Sequence, residues 1–214
     1  MPDFSLEESF RRQGFKTVLG VDEVGRGCLA GPVVAGACLL KDGADRDALL
    51  TLGIDDSKRL TAERREVLAW IIPEFFVSSI GLASVDEINR AGIVRATARA
   101  MRRAIVNLKI SRPIFILVDG YRVKFLPGGL KRQSNIIHGD QKSVSIAAAS
   151  IIAKVYRDRL MKRLAGKFPL YNWGKNKGYG TEGHRLALGK YGLCRHHRIA
   201  FTGHLVINTS ASLR

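Results

Sequence analysis

Four acidic residues close short apolar runs in a chain that is otherwise strongly basic. Asp22 and Glu23 follow the run VLGV, Asp119 follows FILV, and Asp140 follows SNIIHG. Carboxylates are hard oxygen donors. Gathered at one place they suit Mg²⁺ or Mn²⁺, which keep water ligands and bind substrate phosphates. Two such ions can bracket an in-line displacement at phosphorus, activating water and holding the leaving oxygen. Singly, each acid has a plainer role: Asp22 and Glu23 could open a turn, Asp119–Gly120 is a common turn pair, and Asp140 stands where an N-cap belongs. Jointly, like charges about 4 Å apart cost roughly 1–4 kcal/mol per pair, which argues for a compensating cation.

For these acids to meet, the runs that carry them must be neighbouring strands. Residues 16–21, 32–40, 75–83 and 113–120 read as strands, and 134–140 as a further short run. The connection between the first two is short enough to make them antiparallel neighbours. Helices are expected over 4–13, where Ser5 and Glu8 have capping-box spacing, and over 60–72, with Thr61 as N-cap and Pro73 as stop. A single helix is expected over 84–108, capped by Ser84 and Glu87, with Ile88, Val94, Met101, Ile105 and Leu108 on its apolar side. A long helix follows over 141–164. The alternation implies an α/β fold with a mixed sheet, whose ligands gather beyond the carboxyl ends of parallel strands. Successive strand residues point to opposite faces, so Asp22 and Glu23 cannot both face one metal from a regular strand. The strand is therefore expected to end or bulge at Glu23, or Glu23 to act through a second ion or a water.

The 214 residues fit one large domain, and 46% hydrophobic residues suffice for a packed core. Lys and Arg number 35 against 19 Asp and Glu, a formal charge of +16 that favours a polyanionic partner, nucleic acid before membrane. The three cysteines lack metal-type spacing and read as thiols in a reducing compartment. The first sixteen residues mix charges and have no signal-peptide core, and no apolar run reaches the roughly 20 residues needed to span a bilayer, so a cytoplasmic location is expected. A basic surface around an acidic centre points to a metal-dependent nuclease.

The motifs carry the reading further. VDEVGRGCLAGPVVAGA, IDDSKRLTAERRE, ASVDEINRAGIVRATARAM, VDG, GDQKSVSIAAASIIAKVYRD and KGYGTEGH, in this order over residues 17–204, resemble the signatures of the ribonuclease HII family. The resemblance implies an RNase H-like mixed sheet flanked by helices over 1–164, with a substrate-binding C-terminal helical extension over 165–214. It implies hydrolysis of the RNA strand of RNA–DNA hybrids and nicking beside single ribonucleotides in duplex DNA. Divalent ions, Mn²⁺ or Mg²⁺, would be the cofactors, two of them with substrate bound, and a monomer is expected. Asp22, Glu23, Asp119 and Asp140 align with the family's catalytic carboxylates. Gly25, Arg26 and Gly27 align with a turn that inspects the ribose 2′-hydroxyl, and Tyr179 with a tyrosine at the RNA–DNA junction. The sister family, ribonuclease HIII, resembles the chain less well because it carries Gly-Lys-Gly at this turn. The family's usual His-Arg-x-Ser-Phe is here His197–Phe201 with Ala200 in place of serine, so no polar contact carries over to that position.

Several other residues are candidate substrate contacts. Gly25 and Gly27 let backbone approach a sugar, whose 2′-OH is both donor and acceptor. Ser57 and Lys58, before a helix, offer a hydroxyl and an ammonium to phosphate. Lys142 and Ser143 sit where a helix N-terminus would help hold phosphate. Tyr179 lies between glycines in a Lys-rich loop suited to stacking. His184 and His197 read as structural rather than proton-transferring residues. A basic RNA-binding protein without catalysis would explain the charge but not four acids at strand ends. Another nuclease of the same fold would cut DNA without ribose.

Overall fold

The runs that end in acids become adjacent strands. The computed structural model describes residues 1–111 and 113–203. In chain order, α1 (Ser5–Arg12) precedes β1 (Val18–Val24) and β2 (Val33–Leu40), followed by the short α2 (Arg46–Thr51) and α3 (Ala62–Phe75). β3 (Phe76–Ala83), α4 (Val85–Ala91), α5 (Ile93–Asn107), β4 (Phe115–Asp119) and β5 (Gln133–Ile136) follow. The long α6 (Val144–Lys167) leads to α7 (Trp173–Asn176) and α8 (Glu182–Tyr191). The five strands form one mixed sheet of order β3-β2-β1-β4-β5. β1 pairs antiparallel with β2 and β2 with β3, whereas β1, β4 and β5 run parallel.

Strand alternation assigns the two faces. Leu19, Val21, Ala35, Ala37, Ile116 and Val118 pack with Ala96, Ala100, Met101 and Ala104 of α5. On the other face, Leu117 and Val18 meet Ile146, and Cys38 and Leu40 meet Ala147 to Ile152 of α6. α6 lies almost flush with the sheet where β1 and β2 place glycines, Gly20 and Gly36, beneath it. A Cβ at Gly20 would stand 2.3 Å from the Ser145–Ile146 backbone, and one at Gly36 only 2.2 Å from the Ala149 carbonyl. That close approach brings α6 within reach of Asp22. Beyond α6, Tyr171, Trp173 and Leu188 build a smaller core against Ala30 and Met161, which fixes the C-terminal segment to the β1–β2 loop.

Several local expectations are corrected. Ser5 does not cap α1; its amide takes an Asp3 carboxylate oxygen, and Glu8 instead pairs with Arg46 at 2.7 Å. Pro73 lies inside α3, which runs on to Phe75 before the chain turns extended. The expected helix over 84–108 is two helices, because Gly92 (φ 78°) turns the chain after the Ser84–Glu87 capping box has started α4. Val94 then falls on the exposed side of α5 rather than in the core. α6 starts at Val144, capped by Ser143, so Asp140 is not its N-cap. Thr61 does cap α3, and the cysteines are free thiols.

Candidate active site

The strand order places the acids side by side. β1 pairs with β4 only as far as Val21 and Val118, so Asp22 and Asp119 follow directly at the carboxyl ends of adjacent parallel strands. The expected break at Glu23 does not occur: the ladder with β2 continues through Asp22–Gly36, Glu23–Ala35 and Val24–Val34. Asp22 is buried on the α6 side and interacts with Ser150, while Glu23 opens into a cleft that it shares with Asp119. The two neighbours thus approach the site from opposite faces of one regular strand. β5 leads into a tight turn in which His138 adopts a left-handed backbone, and Asp119 Oδ1 accepts the Gly139 amide at 2.7 Å. That hydrogen bond straps the turn carrying Asp140 to the end of β4.

The electrostatics join all four carboxylates. Burial, then Glu23 and Asp119, push Asp22 well above the usual carboxylate range. Burial raises Glu23 too; Asp119 adds to the rise and Arg26 opposes it. Burial also raises Asp140, with Lys58 opposing and Asp119 adding. Clustered groups of this kind are stabilised by positive charge, and the donors are oxygens throughout, the set that Mg²⁺ and Mn²⁺ prefer. Among the described residues no three His, Cys, Asp or Glu side chains close around one point. An ion held here would thus complete its shell with water or phosphate oxygens, as these ions do.

The surrounding residues divide into those that face the site and those that build it. Lys58 extends its ammonium to Asp140 Oδ2 at 3.2 Å and Asp56 Oδ1 at 3.6 Å, and both carboxylates raise its pKa against the effect of burial. Asp56 in turn accepts from Gln141, tying the loop before α3 to the Asp140 turn. Ser57 is buried, its hydroxyl 2.9 Å from that of Ser150, so it supports the residue beside Asp22 and does not face solvent. Ser143 is fully buried, donates to Glu7 Oε1 at 2.6 Å and accepts the Ile146 amide. Its hydroxyl caps α6 and is spent internally, which corrects the expectation of a phosphate contact there. Lys142 is exposed beside it.

The Gly25–Gly27 turn is positioned by two arginines that sequence reasoning missed. Arg157 of α6 is fully buried and donates to the carbonyls of Pro32, Lys177 and Ala30 at 2.9–3.1 Å. Arg198, also fully buried, donates to Gly31 O at 2.9 Å and to Arg26 O at 2.8 Å. Burial brings Arg198 down to about 10. The two guanidinium groups bind carbonyls from both the β1–β2 loop and the Tyr179 loop, so the two loops form one unit. Gly25 (φ +85°) lies directly over Arg157, whereas Gly27 points into open space. A signal for Arg157 existed: it stands on the buried stripe of α6, between Ala153 and Met161, where a charge needs a partner.

Tyr179 is 40% exposed and lies about 6 Å from Lys154 Nζ and Arg157 Cζ. Its backbone is held by a buried histidine pair. The Cys194 amide donates to His197 Nδ1, which leaves the proton on Nε2 to be given to His184 Nε2 at 3.2 Å. Trp173 Nε1 also donates to His184 Nε2, so the His184 proton sits on Nδ1 and bonds the Tyr179 carbonyl at 2.9 Å. Burial, with His184 adding, holds His197 at about 4. These bonds, to each other, to Trp173 and to the backbone at Tyr179 and Cys194, give both histidines a structural role.

An acidic centre at the ends of parallel strands, set in an RNase H-like mixed sheet within a chain of charge +16, defines a metal-dependent nuclease of the ribonuclease H class. The sequence profile described as Ribonuclease HII matches residues 19–204, and the chain belongs to that family. The ribonuclease HII of Wolbachia pipientis subsp. Culex pipiens (strain wPip) is 48% identical over 201 residues, 94% of this chain and 95% of that protein. The crystal structure of ribonuclease H2 from Pyrococcus horikoshii OT3 superposes with a TM-score of 0.74 at 26% identity, over 91% of this chain and 99% of that one. The fold is likewise that of Bst-RNase HIII solved in complex with Mn²⁺, with TM-score 0.73 and 22% identity over 92% of this chain and 70% of that one. The protein is accordingly a metal-dependent endoribonuclease with ribonuclease H activity on RNA–DNA hybrids. No helix among the described residues is long and apolar enough to cross a membrane.

Proposed function

We propose that this nuclease also nicks duplex DNA on the 5′ side of a single embedded ribonucleotide, leaving 3′-hydroxyl and 5′-phosphate ends. The observation that carries the proposal is the joining of the Gly25–Gly27 turn and the Tyr179 loop into one unit beside the carboxylates. Backbone amides and carbonyls of the turn bond the 2′-OH, a group that only RNA presents. Arg198 fixes the Arg26–Gly27 peptide by binding its carbonyl and polarises it, so that the Gly27 N–H is a stronger donor. Tyr179 stacks on the sugar or base where ribose meets deoxyribose.

Asp22, Glu23, Asp119 and Asp140 hold the divalent ions, two with substrate bound and either Mg²⁺ or Mn²⁺. Bound there, the ions supply an activated water and neutralise charge on the leaving oxygen. Lys58 and exposed Lys142 hold phosphates near Asp140, and the extension over 165–214 binds the duplex. Residues 204–214 lie outside the described residues.

The test is a DNA duplex with one ribonucleotide, compared with an all-DNA duplex and a long hybrid, with and without chelator. Wild type should cut the first at the stated bond and leave the second intact. Tyr179→Ala should lose more activity on the single ribonucleotide than on the long hybrid. Equal cutting of the all-DNA duplex, or equal losses for Tyr179→Ala, would place specificity elsewhere.

A further inference from the structure

The cleft that contains Glu23 and Asp119 continues between α5 and the segment after β4, and Tyr179 does not line it. It has a volume of about 670 Å³, within the roughly 300–1,000 Å³ of ligand-sized sites. One wall is α5, where Arg95, Arg99 and Arg102 recur at helical spacing in a stripe about 10 Å long. The other wall is the segment after β4, with Arg122 and Lys124. Arg26 stands at the catalytic end. Among the described residues, Arg95, Arg102, Arg122 and Lys124 have no carboxylate partner, and Arg26 and Arg99 reach theirs only at 3.8 and 3.7 Å. Cations crowded in this way repel one another and favour a polyanion between the walls.

The same cleft carries two largely exposed aromatic side chains. Tyr121 is 75% exposed and Phe125 77%, and among the described residues neither makes a ring contact with another aromatic. Phe125 also holds a left-handed backbone (φ 70°), a conformation that bulky residues seldom adopt. Intact duplex keeps its bases stacked inside and offers a protein phosphates and groove edges. An exposed ring beside a cationic groove is instead the combination that binds unpaired strands, with bases on the ring and phosphates on the cations.

We infer that this cleft seats a single-stranded stretch of nucleic acid contiguous with the strand at the carboxylates, its bases on Tyr121 and Phe125 and its phosphates on the α5 arginines. The enzyme then favours hybrids whose cleaved strand continues as an unpaired extension on one side of the cut. The inference rests on the proposed placement of the scissile strand at the four carboxylates.

The test compares a short blunt RNA–DNA hybrid with the same hybrid bearing an unpaired RNA extension at the 5′ or the 3′ end. Binding is read by fluorescence anisotropy with chelator present, and cleavage by kcat and KM with Mg²⁺. One polarity of extension should tighten wild-type binding by about tenfold, the scale of one stacked base. Tyr121→Ala/Phe125→Ala should cut the blunt hybrid as wild type does and lose the advantage of the extension. Arg95→Ala/Arg102→Ala should reduce the salt slope for the extended probe by about two. No gain from either extension, an equal gain from both, or equal losses of the aromatic variant on blunt and extended probes would overturn the inference. Failure to cut the blunt hybrid would instead strike the placement of the scissile strand, while anisotropy still reports on the cleft.

Discussion

Replacing Asp119 by asparagine should destroy activity and stabilise the fold, and both effects can be worked out from the geometry. Asp119 has two roles. One oxygen accepts the Gly139 amide at 2.7 Å and holds the turn that carries Asp140. Its charge adds to the rise of Asp22, Glu23 and Asp140. Asparagine keeps the acceptor and the shape but removes the charge. The turn stays strapped, and three like-charge repulsions disappear, each on the order of 1 kcal/mol in polar surroundings and partly screened. A net gain of about 1 kcal/mol corresponds to a Tm about 2–4 °C higher for a chain of this size. Cleavage should fall by at least about a hundredfold, or about 2.7 kcal/mol of transition-state stabilisation. Asp119→Ala is the contrast: it leaves the Gly139 N–H without its acceptor and should cost about 1–3 kcal/mol. The assays are thermal unfolding with chelator present and turnover of a labelled hybrid in Mg²⁺. A folded Asp119→Asn protein with near-normal turnover would refute the catalytic assignment. A Tm below that of Asp119→Ala would refute the account of repulsion and strap.

Three further outcomes follow from particular contacts. Gly27→Ala should fold like wild type, since a Cβ there meets nothing within 4 Å, yet lose about tenfold or more in cleavage; Gly25→Ala should already be destabilised by the Arg157 guanidinium, 2.0 Å from the added Cβ. Parallel melts and kinetics separate the two, and equal melting temperatures would contradict the packing. Lys58→Ala should weaken hybrid binding across sequences and flatten the salt dependence by about one unit, whereas an unchanged slope would confine Lys58 to its carboxylate pairs. His197 is held at about 4 against an ordinary value of 6.5, so below 6.5 the unfolded chain binds the extra proton and stability falls as pH drops toward 4. The full effect is up to about 3 kcal/mol, present above 6.5, and urea unfolding of His197→Asn should lack that share of the pH dependence.

The sequence by itself determined the chemistry and the layers of the protein. Acids at the ends of apolar runs, in a chain of charge +16, sufficed for an acidic centre on an α/β sheet. These signals are local: an apolar run, a turn glycine and a capping serine such as Ser84 act within a few residues of themselves. Tertiary structure decided how the acids are presented. From sequence, Asp22 and Glu23 could not both face one metal from a regular strand, which left a break at Glu23 or a separate partner for it; folding keeps the strand regular, with Asp22 on the α6 face and Glu23 opening to the α5 face. Ser143 was legible as a polar residue at a helix start, but only packing revealed that Glu7, 136 residues earlier in the chain, accepts a hydrogen bond from its hydroxyl. Arg157 could be picked out as a charge on the buried stripe of α6, but its partners and those of Arg198 could not, because they are carbonyls, which every residue has and no side-chain pattern announces. Which segments hold the Gly25–Gly27 turn was therefore decided only when distant parts of the chain folded together.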